Sequence, residues 1–355
     1  MSQAQLDTLS IPVRQIEDIY PLSPMQQGMM FHTLEASEAA AYINQTAVPV
    51  SGLDIARFTC AWNTVIERHE ILRTGFWAAS HLNEPLQLVF KTAVLPLRVL
   101  DWQEREVSAQ DLQGQVEADS REGFDLLCAP LMRLTLVKLA AEKLYLIWTN
   151  HHILLDGWSS SRLLAEVFEV YNGKSQSHKR GKYRDYIAWL QAQPQASLET
   201  FWKHKLQGLN GPTVLANSLS PRPGQENDGH QALYLNWDAQ QTLRLKDQAQ
   251  RLRVTPNTLI QATWLLLLQR YTGQDSVCFG STVAGRPPGL AASDEILGLF
   301  INTLPIIQTP QPQQTVGDWL LELQSYNLEV RDHEHASLAD VQRWSGQGGQ
   351  ALFDS

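Results

Sequence analysis

The sequence predicts an α/β chain folded as two lobes, and three observations carry that reading. The chain has 355 residues, more than one small domain needs and suited to two of ordinary size. Segments with helical apolar spacing and segments with strand alternation interleave along the whole length. A stretch rich in Pro, Gly, Asn and Ser, "NSLSPRPGQENDGH" at 217–230, separates two such series and reads as a linker or long crossover. The expected division is an N-terminal lobe over 1–190, a crossover over 191–230 and a C-terminal lobe over 231–355.

The elements follow in order. "DIARFTCAWNTVIERHEILRTGF" places Phe58, Ala61, Trp62, Val65 and Ile66 on one stripe, with Asp54 as helix cap. "APLMRLTLVKL" aligns Met132, Leu134 and Leu136, and "LYLIWTN" aligns Leu144, Leu146 and Trp148. With "AAEK" between them the two read as a hairpin. Beyond two histidines, Ser159 is expected to cap a helix that buries Leu163, Leu164, Val167, Phe168 and Tyr171. "NGKSQSHKRGK" (172–182) is a loop, and "YRDYIAWLQAQPQASLETFWKHKL" is helical on both sides of Pro194. "TPNTLIQATWLLLLQRYTG" opens on Thr255 as cap with Pro256 at the first helical position and closes at Gly273. "SVCFGSTVAG" is a strand. "TVGDWLLELQSYNLEV" and "SLADVQRW" are helices opened by Thr315 with Asp318 and by Ser337 with Asp340.

Composition narrows the function classes. Apolar residues make up 43% and charged residues 18%, an ordinary globular mixture. A net charge of -9 argues against a nucleic-acid ligand, and "HKRGK" (178–182) is a short solvated run. Cys60, Cys128 and Cys278 stand apart in apolar contexts and read as buried free thiols of a reducing compartment. The amino terminus lacks the basic start and apolar core of a signal peptide. The longest apolar run, "WLLLL" (264–268), is far short of a membrane span. A cytoplasmic protein is expected, with no membrane or nucleic-acid partner.

The chemistry concentrates in "TNHHILLDGWSSSRLLAEVFEVY" (149–171), where a strand runs into His151 and His152 just ahead of a helix start. One reading is a histidine pair satisfied within a turn, with Asp156 bracing the loop. A metal site needs three converging ligands; His333, Glu334 and His335 supply donors elsewhere, but no spacing brings them together, and no metal is expected. "WSGQGG" (344–349) follows a helix and lacks both the context of a nucleophile elbow and the lysine of a phosphate loop, so it reads as a helix stop. The remaining reading is acyl transfer. An imidazole manages a proton, Gly157 lets a substrate oxygen approach the backbone, and free N–H groups at the helix start face developing negative charge.

"HHILLDGWS" resembles the HHxxxDG active-site motif of the condensation domains of non-ribosomal peptide synthetases, relatives of chloramphenicol acetyltransferase. Other segments resemble that family's motifs in its own order: "IYPLSPMQQGMMFH" (19–32), "RHEILRTGF" (68–76), "YRDYIAWL" (183–190), "GSTVAGRPP" (280–288), "GLFINTLPI" (298–306) and "HEHASLADVQRWSGQGGQALFDS" (333–355). The resemblance implies two chloramphenicol acetyltransferase-like lobes set as a V around a central tunnel. Phosphopantetheine arms of an upstream donor and a downstream acceptor carrier domain would enter it, beside an adjacent adenylation domain. No cofactor belongs to the domain itself. His152 takes the catalytic role, Gly157 offers its N–H to the oxyanion, and Asp156 completes the motif as a structural residue paired with Arg286. His151 supports the fold, Asn302 lines or braces the tunnel, and Trp158, Ser159 and Ser281 line it. "PLSPMQQGMMFH", "HHILLDGWS" and "RWSGQGGQALFD" resemble the subgroup that joins a D-configured donor to an L-configured acceptor. "TLEASEAAAYINQ" (33–45) lacks the signature of the dual condensation/epimerization type. Family members continue past "LFDS" with further strands and a helix, so the second lobe is expected to be incomplete, with an exposed sheet edge. The alternatives are a coenzyme A-dependent acyltransferase, an epimerization domain and, from another class, an inactive docking module for carrier domains.

Overall fold

The computed structural model describes residues 9, 11–35, 42–80, 82, 84–174, 181–219 and 233–355. The readings of 33–45, of the loop at 172–182 and of the stretch at 217–230 therefore lie partly or largely outside the described residues. The chain divides into two compact units, the first made of 1–193 with 286–301, the second of 194–285 with 302–355. These limits differ from the expected ones because Arg286–Ile301 returns to the first unit. Part of the expected crossover also forms a helix of the second.

The first unit contains β1 (Ile16–Pro21), α1 (Pro24–Glu35), β2 (Ile43–Ser51), α2 (Ile55–Arg68), β3 (Thr74–Trp77), β4 (Leu86–Phe90), β5 (Leu97–Asp101), α3 (Ala109–Arg121), β6 (Met132–Ala140), β7 (Lys143–His151), α4 (Gly157–Tyr171) and α5 (Tyr183–Gln191). One sheet has the order β1-β4-β3 and the other β2-β7-β6-β5. In the second, β6 and β7 form the expected hairpin, with Leu134 opposite Trp148 and Leu136 opposite Leu146. Period-two alternation puts these side chains on one face, where they join the core formed with Phe58, Trp62, Val65 and Ile66 of α2 and Leu163 and Val167 of α4. Burying aliphatic side chains of this size stabilises by about 1.5–3 kcal/mol each before entropy is subtracted. The α2 stripe is the one read from the sequence, and Asp54 Oδ1 accepts from Arg57 N at 3.0 Å. Three residues of opposite parity on the sheet, Arg133, Thr135 and Thr149, are polar and buried. Arg133 Nε (3.2 Å), Thr135 Oγ1 (3.1 Å) and Thr149 Oγ1 all bond the buried Asp119 of α3. That network satisfies a carboxylate which burial would otherwise penalise heavily.

Two expectations for α4 are corrected. Its cap is Asp156, whose side chain accepts from Ser159 N, and Ser159 lies inside the first turn. The buried stripe is Ser159, Leu163, Glu166 and Val167, while Phe168 is 41% exposed. The stripe turns toward Glu166 because Arg68 Nη1 (3.1 Å) and His69 Nε2 (2.7 Å) at the end of α2 meet its carboxylate. The cysteine expectation is also corrected. Only Cys278 is buried, and burial pushes its thiol well above the usual range. Cys60 falls outside the α2 stripe and Cys128 sits in a turn, and both are exposed.

The second unit contains α6 (Gln195–Leu206), α7 (Ala239–Leu252), α8 (Pro256–Thr272), β8 (Val277–Val283), β9 (Asn302–Gln308), α9 (Val316–Arg331) and α10 (Leu338–Trp344). The predicted boundaries of α8 hold: Thr255 accepts from Thr258 N, Pro256 is first in the helix, and Gly273 ends it at φ 69°. β8 and β9 pair antiparallel, and the core gathers Trp202, Leu265, Leu268, Leu304, Leu323, Val341 and Leu352. The "LFDS" segment docks on this core. Thr213 pairs with Phe353, Gly280 N donates to Ser355 O at 2.9 Å, and Asp354 accepts from the amides of Leu215 and Ala216. Among the described residues no helix is long and apolar enough to cross a membrane.

Candidate active site

Strand β7 ends at His151, and the chain then turns through 152–156 into α4. His151 is 1% exposed. Its Nδ1 accepts from Ile153 N (3.1 Å), which places the neutral ring's proton on Nε2, facing Thr33 Oγ1 at 3.2 Å. Thr33 passes its own hydrogen to Met29 O at 2.8 Å. Burial, with the neighbouring His152 ring, pushes the His151 pKa down to about 4.

The unfolded ring titrates near 6.5 and the folded one near 4, so between those values the unfolded chain holds more protons. Stability is intact above 6.5 and falls as the pH drops toward 4, by up to about 3 kcal/mol from this ring alone. Urea unfolding at pH 7 and pH 4.5 should show that loss in the wild type and a smaller one in His151→Gln.

His152 is half-buried, and its N–H donates to Tyr42 O at 2.8 Å. Tyr42 holds φ 66°, a left-handed conformation costing a non-glycine residue about 1–2 kcal/mol. The imidazole Nδ1 lies 2.8 Å from Leu155 O. A carbonyl only accepts, so Nδ1 carries the hydrogen, and in the neutral ring Nε2 then presents a lone pair. At the other end of the turn Gly157 occupies the first position of α4 and is exposed, its amide ahead of the first intrahelical bond. A Cβ placed there would meet nothing within 4 Å, so the space beside this position is open.

Asp156 is 1% exposed and surrounded by donors. Oδ1 accepts from Ser159 N (2.7 Å) and faces Arg286 Nη2 (3.5 Å), and Oδ2 accepts from Phe300 N (3.0 Å). The Arg286 guanidinium also donates to Ile296 O (3.0 Å), to Ser293 O and to Ser159 Oγ (2.8 Å), and lies 4.1 Å from the centre of the Phe300 ring. The pairing implied for Asp156 and Arg286 is present as one edge of a larger network. Burial lowers the Arg286 pKa, and the Asp156 charge opposes that shift. Asp156 is the cap and anchor of α4, with a backbone N–H on each carboxylate oxygen and the guanidinium beside Oδ1.

Ser159, expected to line the tunnel, is corrected. It is fully buried, donates to Gly298 O (2.7 Å), and accepts from Gly298 N (3.1 Å) and Arg286. Trp158 is 57% exposed with its Nε1 bonded to Asp294 O at 3.2 Å. Asn302 and Ser281 belong to the second unit. Asn302 Nδ2 donates to Glu334 O (2.8 Å) and Ala336 O (2.7 Å), so it braces the turn before α10. Ser281 is half-buried, and its Oγ accepts from Gln261 Nε2 at 3.1 Å. His333 stacks on Phe201 with ring centres 3.6 Å apart, and no metal-binding cluster occurs among the described residues.

Sequence reasoning missed Thr33, Tyr42 and Gly298. For Thr33 and Tyr42 no local signal exists, since both act across long chain separations. Gly298 has one, a glycine opening "GLFINT". A Cβ there would lie 2.1 Å from the fully buried Tyr183 ring, while its backbone serves both Asp156 and Ser159. Gly298→Ala is expected to destabilise by about 1–3 kcal/mol through overpacking, measured by thermal unfolding.

A family model described as "Condensation domain" matches residues 16–355. One of the linear gramicidin synthase proteins of Brevibacillus parabrevis is 38% identical over 371 residues, covering 100% of this chain and 5% of that protein. Bacitracin synthase 3 of Bacillus licheniformis is 33% identical over 97% of this chain and 6% of its own length. The chain thus spans about a twentieth of the length of each of these two relatives. A crystal structure of a four-domain nonribosomal peptide synthetase bound to AMP and glycine superposes with a TM-score of 0.78 at 20% identity, over 97% of this chain and 26% of that one. The motif order, the geometry of the turn and the match along nearly the whole length lead to one assignment: the chain belongs to the condensation-domain family of nonribosomal peptide synthetases.

Proposed function

We propose that the chain forms an amide between two carrier-bound substrates. The acceptor amine attacks the donor thioester, the carbon–sulfur bond breaks, and the donor carrier's phosphopantetheine thiol leaves with a proton. The observation that carries this reading is the hydrogen bond from His152 Nδ1 to Leu155 O, because it leaves Nε2 as an acceptor for the amine proton. Gly157, at the free start of α4, offers an N–H toward the negative charge that develops on the thioester oxygen. Asp156, Arg286 and Ser159 hold the turn that sets both. The partners are an upstream donor and a downstream acceptor carrier domain, with an adenylation domain adjacent, in a cytoplasmic setting. The donor is D-configured, a reading supported by the segments that resemble the D-donor subgroup.

The test supplies one carrier loaded with a D- or L-aminoacyl thioester and a second carrying a free aminoacyl amine, and follows the product by mass spectrometry. Amide on the acceptor carrier, faster from the D-donor, is expected. Faster product from the L-donor overturns the stereochemical reading. Transfer from acyl coenzyme A alone, or α-proton exchange without amide, overturns the reaction.

A further inference from the structure

Every backbone amide from His152 to Asp156 has a partner near the turn or on a neighbouring strand or segment. His152 N goes to Tyr42 O, Ile153 N to His151 Nδ1, Leu154 N to His151 O, Leu155 N to His152 O and Asp156 N to Gly298 O. The carbonyls of His151, His152 and Leu155 are likewise used within the turn. The carbonyl of Ile153, a residue with no exposure, accepts instead from Gln26 Nε2 at 3.2 Å, a side chain 127 residues away in α1. Gln26 belongs to the opening motif, and no step of the proposed chemistry uses it.

The orientation of this amide is fixed on every side. Its Oε1 accepts from Ser23 N at 2.9 Å, and Ser23 Oγ accepts in return from Gln26 N at 3.3 Å, a capping box at the start of α1 with Pro24 first in the helix. The second Nε2 hydrogen goes to Gln87 Oε1 (3.3 Å), and Gln87 Nε2 donates to Pro21 O at 3.0 Å. Both glutamines have no exposure. A buried amide satisfied on three sides is rigid, because any rotation strands groups that water cannot reach. α1 thereby also holds the turn through Thr33 and His151.

We propose that Gln26 is a positioning residue for His152. It fixes the Ile153 carbonyl, and so the peptide course from His152 to Leu155, whose carbonyl orients the imidazole. This rests on the amide-forming reading for its kinetic part. A side chain here must donate twice and accept once at the reach of a glutamine. Methionine fills the space and does none of these. Without the bond the Ile153 carbonyl turns to seek another donor, and the Leu155 carbonyl moves with it. Misplacement of a catalytic group by about 1 Å costs up to about 100-fold in rate.

The test compares Gln26→Met with Gln87→Met, which breaks the same buried chain one link farther from the turn. Melting temperature, kcat and KM for carrier-bound substrates are measured together with the Nδ1–H proton resonance of His152, assigned by its loss in His152→Ala. Gln26→Met is expected to lower kcat about 10- to 100-fold with KM nearly unchanged and to broaden or abolish the Nδ1–H signal. Gln87→Met is expected to lower the melting temperature comparably while keeping both kcat and the signal. Should Gln26→Met not fold, Gln26→Asn keeps an amide but withdraws it by one methylene, and the same readouts apply. Equal loss of rate in the two positions at matched stability, or an intact Nδ1–H signal in the Gln26 variant, overturns the proposal. A wild-type chain that makes no amide overturns the reaction reading instead, and the resonance still decides the link to Gln26.

Discussion

His152→Ala is expected to lower amide formation by about 10²–10⁴-fold while the chain stays folded, with a loss of about 1 kcal/mol from the bond to Leu155 O. Two further substitutions separate what the ring does. An asparagine amide reaches roughly where Nδ1 sits, so His152→Asn can keep the donation to Leu155 O while removing Nε2. A glutamine amide reaches the Nε2 end, so His152→Gln can offer an acceptor to the incoming amine but is too weak a base to take its proton. If the ring works as a general base, both variants are as slow as alanine. If it works by accepting a hydrogen bond that orients the amine, His152→Gln recovers a substantial part of the rate and His152→Asn none. Mass-spectrometric rates on carrier-bound substrates, with unfolding midpoints beside them, read the difference. Wild-type rate in His152→Asn would remove Nε2 from the mechanism altogether.

Much of this site is legible in the sequence because it is local. The hairpin that delivers the histidines, the helix start behind Gly157 and the α2 stripe beneath them all arise from period and capping within some twenty residues. The departures share a cause. Ser159, expected to face a tunnel, is instead buried between Gly298 and Arg286, residues 139 and 127 positions away. Glu166, absent from the expected apolar stripe, is buried where Arg68 and His69 meet its carboxylate. Asp156 and Ser159 compete for the same cap because both residue types cap helices, and only the fold decides between them. Polar residues declare their role through partners, and distant partners leave no periodic trace. Apolar residues declare theirs through spacing, as the α2 stripe does, and the α8 boundaries are recoverable because their cap, first-turn proline and closing glycine are all local.

Asp156→Ala is expected to be the most destabilising single change in the turn, by about 3–5 kcal/mol, the range found when one partner of a buried ion pair is removed. Three losses coincide in it. α4 loses its cap, Phe300 N–H loses its acceptor, and the largely buried Arg286 side chain loses its ion-pair partner. Against a total stability of about 5–15 kcal/mol for a typical domain, that brings the first unit close to unfolding. Asp156→Asn, conservative in shape, is expected to rescue little. Oδ1 faces Ser159 N–H and Arg286, and Oδ2 faces Phe300 N–H, so an amide NH₂ confronts a donor whichever way it is turned. Arg286→Met alone is expected to be costly too, since Ile296 O, Ser293 O and Ser159 Oγ each lose a donor. In the double variant Asp156→Asn with Arg286→Met no uncompensated charge remains. Its loss should therefore fall short of the sum of the single losses by about 1–3 kcal/mol. Denaturant unfolding of the four chains measures that coupling, and strictly additive losses would mean that the ion pair does not hold the start of α4.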